Sequence, residues 1–211
     1  MSLEYKIFFD NSKPIYLVGK TSWNEEIFHT LKDQRECEII SMEDLASKDK
    51  DTLADHQYFC GAGFVSLKKT LVDSVVAHVE SPNFVSLVSK QSIVHQDAKI
   101  GKGVLVCPTA LIPGPCEIGD FCTINYHTIV GHGFSTLGAY CFTAPYVHLG
   151  RCHLGEGTWV GSFSNLDTVT TVPHCQFYTN SRVKDHDITA SGTYKNTKLI
   201  KSENSLQLDI N

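Results

Sequence analysis

No CxxC pair occurs anywhere in the 211 residues, although eight of them are cysteine. Zinc ribbons and thioredoxin-type redox sites are thereby excluded. No apolar run approaches the roughly 18 residues of a membrane-spanning helix, so no membrane insertion is expected. Basic charge is not in excess either: 18 Lys and Arg stand against 23 Asp and Glu, a net charge of -5. A nucleic-acid partner would draw a basic face, so none is expected. No N-terminal stretch reads as a secretory signal, which points to the cytoplasm and to reduced thiols. The remaining composition, 42% hydrophobic and 19% charged, is that of a folded globular chain.

The first 88 residues alternate strand and helix patterns. Residues 5–9 and 15–18 are rich in aromatic and branched side chains, as strands are. Ser22 followed by Glu25 has the spacing of a capping box at a helix start. Further strands are expected at 37–40, 57–60 and 84–88, with a short helix from Ser41 and a longer one over 65–78. The order implies a small, mostly parallel α/β domain (Rossmann-like) over 1–88. Gly19 and Lys20 occupy the turn between the second strand and the first helix, where a helix N-terminus can face a nucleotide phosphate. GxGxxG is absent there, and plain structural packing explains the turn equally well.

From residue 94 the chain reads in sixes. Val94, Ile100, Val106, Ile112, Ile118, Ile124 and Val130 lead successive units, followed by Leu137, Thr143 and Leu149, then Leu154, Val160, Leu166 and Val172. One step, Val130 to Leu137, is seven residues and another, Leu149 to Leu154, is five. Small residues, Cys116, Cys122, Cys141 and Cys152 among them, precede the leads by two positions. No helix has this period, whereas a parallel β-helix, with three short strands per coil, requires it. The leads fill the interior, the small residues close the corners, and those four cysteines are packing residues.

The repeat resembles that of the hexapeptide acyltransferase superfamily. With the α/β domain before it and a histidine midway, the chain is similar to the sugar acetyltransferases of the sialic-acid and bacillosamine type. The resemblance implies a left-handed β-helix of about five coils over 89–180, a C-terminal extension or cap over 181–211, and a homotrimer with sites between copies. It also implies acetyl-CoA as donor, no metal, and a nucleotide-activated amino sugar as acceptor. The subgroup's catalytic stretch is matched by Asn125, Val130 and His132, which makes His132 the general base and Asn125 its support. Gly133 stands where the family has an acid, and Phe142 where it often has a second histidine. One coil beyond His132 the equivalent position is Arg151, a cation that would keep the imidazole neutral. Coenzyme contacts are expected at Gly150, Gly161, Lys195 and Lys198, and acceptor contacts at Gly19 and Lys20.

Three other readings use the same residues. O-acetyl transfer to a sugar hydroxyl is the nearest. His127 with His132, and His148 with His153, have the HxxxxH spacing of β-helical γ-class carbonic anhydrases, but the third ligand position is Gln91 and His95 is out of phase. A non-catalytic β-helix is the third. At the chain's end Lys195, Lys198 and Lys201 suit phosphate or a solvated face, and Leu206, Leu208 and Ile210 alternate as a capping strand would.

Overall fold

The computed structural model describes residues 4–131 and 134–202. Three parallel strands, β2 (Ile15–Val18), β3 (Cys37–Ile40) and β4 (Gln57–Phe59), form a small sheet in the order β3-β2-β4. Helices α1 (Ser22–Leu31), α2 (Met42–Ser47), α3 (Lys50–Ala54) and α4 (Val65–His78) connect and flank these strands. Two expectations are corrected here. The first strand, β1 (Tyr5–Phe8), does not join this sheet but pairs antiparallel with β5 (Ser86–Ser89). The cap of α1 is Thr21, not Ser22: its side chain accepts from the Asn24 amide, so Glu25 takes no part in a capping box. The short α3 was not foreseen, and Asp49 caps it through the Thr52 amide.

From β5 onward the chain winds as a parallel β-helix with three faces per coil. The covered face carries the outward column Leu87, Leu105, Thr123, Phe142, Trp159, Gln176 and Thr193. The open face carries Ile93, Leu111, Ile129, His148, Asn165 and Arg182. The polar face carries Lys99, Glu117, Thr136, His153, Thr170 and Asp187. Within a coil the chain passes from the covered face round a first corner to the open face. A second corner leads to the polar face, and a third returns it to the covered face.

Every irregular step falls at the second corner. Ile112 to Ile118 takes six residues there, Val130 to Leu137 seven, and Leu149 to Leu154 five. Leu166 to Thr171 and Val183 to Ile188 are five again, each within one unbroken strand, Asn165–Thr171 or Arg182–Ile188. Single left-handed residues, Arg151, Thr168 and Asp185, turn these tight corners. The lead position after Leu166 is therefore Thr171, not Val172. Its hydroxyl is satisfied inside, accepting from the Gly155 amide at 2.9 Å and bonding Thr158 Oγ1 at 3.1 Å, so a polar residue can fill an interior slot.

The repeat also runs further than its sequence pattern suggested. Parallel pairing continues past 180, through Arg182–Ile188 and Gly192–Lys195, before an antiparallel strand, Lys198–Ser202, closes the covered face. The interior is one apolar column that includes Cys116, Cys122, Cys141, Cys152 and Cys175. Cys116, Cys122, Cys141 and Cys152 each donate to a carbonyl of the next coil, at Val130, Gly138, Gly155 and Leu166. Among the described residues all eight cysteines are free thiols, as their role as small packing residues requires.

The α/β unit sits on the covered face. Ile15, Leu17, Ile27, Leu31 and Phe59 pack with Leu87 and Leu105 in one buried cluster. At the third corner Phe121 meets Phe84 edge-on and stacks on Tyr140, both ring pairs at 5.0 Å. At the first corner the Tyr126 hydroxyl bonds the Glu26 carboxylate of α1.

Candidate functional site

Residues 132 and 133 lie outside the described residues, and so do the proposed capping residues 206, 208 and 210. Gly131 and Phe134, which flank His132, are at the second corner. Gly131 pairs with Gly150 of the next coil, and Phe134 is 72% exposed with a left-handed φ of 56°. That corner divides the open face from the polar face. It is therefore the vertex opposite the covered face, with the apolar interior between it and the α/β unit.

Arg151 occupies the position equivalent to His132, its amide donating to the Gly131 carbonyl at 3.3 Å. Its guanidinium turns the other way, donating to Asp167 Oδ1 at 2.7 Å and Thr168 Oγ1 at 3.2 Å in the following coil. A cation so paired has part of its field cancelled, and its relation to His132 lies outside the described residues. Asn125 is buried at the first corner, where its side-chain oxygen accepts from the Tyr126 amide at 2.8 Å. Its visible work is to hold that turn. Phe142 is likewise not beside the second corner: it stands on the covered face with Trp23 edge-on to it.

Gly150 lies at the start of the second corner, between Gly131 and Asp167 in register. Gly161 follows Val160 on the covered face and donates to the Phe177 carbonyl at 2.9 Å. These two positions are not neighbours, so they do not form one contact surface within a single chain. Lys195 and Lys198 do come together, directly opposite one another across the terminal hairpin. Both are exposed, and neither pairs with a carboxylate among the described residues. Like charges in that relation repel, which an anion would relieve. Asn196 in the intervening turn accepts from the Arg182 backbone amide at 2.8 Å, which sets a third cationic residue, 14 residues earlier in the chain, beside the hairpin.

The Gly19 turn is closed by the chain itself. Gly19 has φ 94°, and a Cβ there would fall 2.6 Å from Leu71, so only glycine fits. Asn24, fully buried, donates to the Val18 and Gly19 carbonyls and accepts from the Gly61 amide. Thr21 adds a bond to the Gly61 carbonyl at 2.7 Å. Lys20 remains exposed at the carboxyl end of the parallel sheet, the end where ligands of open α/β sheets bind.

The other histidines are engaged separately. His127 stacks on Tyr146 with centroids 4.6 Å apart, and Tyr146 on Phe163 at 5.0 Å, forming a ladder along the first corner. His148 meets Asn165 at 3.3 Å and His153 meets Thr136 at 2.9 Å on different faces. Among the described residues no three His, Cys, Asp or Glu side chains come together as metal ligands would. No described helix is long and apolar enough to cross a membrane.

No protein-family model and no curated protein matches this sequence. Solved structures do. The acetyltransferase domain of PglB from Neisseria gonorrhoeae superposes with a TM-score of 0.73 at 16% identity, covering 89% of this chain and 100% of that one. Perosamine N-acetyltransferase from Caulobacter crescentus, a histidine-to-asparagine mutant in complex with CoA and GDP-perosamine, gives 0.73 at 18% identity, covering 88% and 96%. WeeI from Acinetobacter baumannii gives 0.72 at 17%, covering 88% and 99%. In fold the chain groups with these proteins, as its repeat implied.

Proposed function

We propose that the protein is an acetyltransferase that moves an acetyl group from acetyl-CoA to the amine of a nucleotide-linked amino sugar. The observation that carries this reading is the position of the seven-residue step, which in sequence brackets His132 between Gly131 and Phe134 at a corner that borders the uncovered apolar face. The fold shared with sugar acetyltransferases, one of them seen with CoA and GDP-perosamine, supports it. In this reading the β-helix is left-handed, residues 1–88 hold the acceptor, and Gly19 and Lys20 face its diphosphate.

The three faces differ in a way that suits a trimer. The covered face is occupied by the chain's own α/β unit, and the polar face carries mostly exposed polar side chains. The open face presents Ile93, 66% exposed, with Leu111 and Ile129 half-buried, and none of the described residues covers them. Apolar surface of that kind is stabilised by a second copy. Because the second corner and the acceptor-holding unit lie on opposite sides of the coil, one chain cannot unite them. The acceptor held by one copy reacts at His132 of its neighbour.

There His132 takes the amine proton as nitrogen attacks the thioester carbon. Backbone N–H groups of the coil hold the oxygen as it gains charge. When the C–S bond breaks, the imidazolium returns the proton to the departing thiolate. Lys195, Lys198 and Arg182 supply positive charge for the coenzyme phosphates, and Gly150 and Gly161 reach the coenzyme only from different copies.

The test begins with calorimetric titration of acetyl-CoA and CoA. Transfer to UDP- and GDP-linked 4-amino-6-deoxysugars, read by mass spectrometry, follows. Micromolar coenzyme binding and an acetylated sugar are expected; absence of both overturns the proposal.

A further inference from the structure

We infer that the chain's two tryptophans, with Phe142 and Gln176, form a shelf that binds the sugar ring of the acceptor. The inference rests on the acetyltransferase reading and adds to it a specificity surface outside the Gly19 turn. Trp23 and Trp159 are the only tryptophans in the sequence, and the fold brings them to one place. Trp23, in the first turn of α1, meets Phe142 edge-on with centroids 6.1 Å apart. Phe142 in turn lies parallel to Trp159 at 6.0 Å and an interplanar angle of 2°. Gln176 is the next residue of the same outward column.

The α/β unit covers this column over Leu87, Leu105 and Thr123 and ends against Phe142, so Trp159 and Gln176 emerge beyond its edge, half-buried. That edge is the carboxyl end of the parallel sheet, where the acceptor's diphosphate is proposed to lie. A ring attached to the diphosphate has the shelf beside it. The polar groups are of one kind. Neither indole N–H has a partner among the described residues, and neither is sealed from water. Gln176 uses its oxygen to accept from Thr193 Oγ1 at 3.4 Å, which leaves its amide N–H groups facing out. Donors beside aromatic carbon suit the ring and hydroxyl oxygens and the apolar carbons of a deoxysugar. No carboxylate is in this set, and a carboxylate would hold the acceptor amine as an unreactive ammonium ion.

With only two tryptophans, intrinsic fluorescence reports on the shelf directly. The probes are UDP-N-acetylglucosamine and GDP-mannose, with UDP and GDP as controls lacking the sugar. The expected result is a saturable emission change with a nucleotide sugar that exceeds the change with its free nucleotide, and that is reduced in both Trp23→Phe and Trp159→Phe. In turnover, Trp159→Phe and Gln176→Leu raise the acceptor KM about tenfold with kcat nearly kept, while the acetyl-CoA KM stays unchanged. Acetyl-CoA that binds by calorimetry while every nucleotide sugar leaves both tryptophans silent overturns the shelf alone. An unaltered acceptor KM in the Trp159 and Gln176 variants does the same. Failure of coenzyme and nucleotide sugars alike overturns the underlying reading as well.

Discussion

Lys68 offers the sharpest test of how the two units of the chain are joined. It projects from α4 into the junction with the β-helix, is 3% exposed, and has no carboxylate beside it among the described residues. Its amine donates to the Phe121 carbonyl at 3.1 Å and the Thr123 hydroxyl at 2.5 Å, and the ionisable groups around it are the thiols of Cys60, Cys107 and Cys122. Burial pushes its pKa down from 10.5 to about 8. At about 1.4 kcal/mol per pH unit, that difference makes carrying the proton in the folded state cost about 3 kcal/mol. Between about 8 and 10.5 the unfolded chain binds this proton and the folded one does not, so Lys68 adds stability as pH rises through that window. Below about 8 both states are charged and the penalty is constant. Thiols act oppositely: burial raises Cys60 to about 12 and Cys37 to about 11, so their unfolded forms ionise first and stability falls above pH 9. Comparison with Lys68→Met cancels those common contributions. Urea unfolding in reductant at successive pH values from 7 to 10 should show wild type gaining on the variant by about 2–3 kcal/mol. Parallel profiles, or a difference that shrinks with pH, would refute a desolvated amine at the junction.

Other perturbations separate the parts of the proposed site. His132→Ala should lower acetyl transfer by about 100-fold or more while leaving acetyl-CoA affinity by calorimetry unchanged. Replacing Lys195 and Lys198 together by alanine should weaken coenzyme binding about tenfold in low salt, with the difference narrowing as salt rises, since both are exposed. Ile129→Asp on the open face should reduce the proposed trimer to monomers in light scattering and abolish turnover, because each proposed site would lose its second copy.

The interior of this fold is easy to read in the sequence because each coil repeats one demand: an aliphatic residue inward and a small one at the corner. Hydrophobicity alone, however, points to Val172 where the coil uses Thr171. Only the hydrogen bonds to Gly155 and Thr158, invisible in a linear pattern, make threonine acceptable there. The same cause hid the coil beyond 180, where Arg182, Lys184 and His186 decorate a strand whose inward residues, Val183 and Ile188, are too few to show a period. Pairings distant in sequence were least legible. Nothing local tells that β1 leaves its neighbours for β5, or that Trp23 will stand beside Phe142. His132 and Asn125 are singled out by a motif, and a motif fixes order along the chain but not direction; what the fold adds is that the Asn125 oxygen holds its own turn.

The uneven second corner bears on how a long donor could lie. Seven residues separate the leads at His132, but only five do so in each of the next three coils. The corner thus stands out at Phe134 and is drawn in beyond it, past Arg151, Thr168 and Asp185, each turning the chain with a single left-handed residue. A recessed edge of this kind runs parallel to the coil axis. From Gly131 through Gly150 and Asp167 to Lys184 it spans three coil steps, about 14 Å at roughly 4.8 Å each. In the proposed reading an extended pantetheine arm has the length to follow it from the second corner to the last coil, where Lys184 stands 3.9 Å from Asp185. The slip in the repeat therefore does two things at once: it leaves Phe134 exposed at a widened corner, and the tightened corners after it set the edge back alongside.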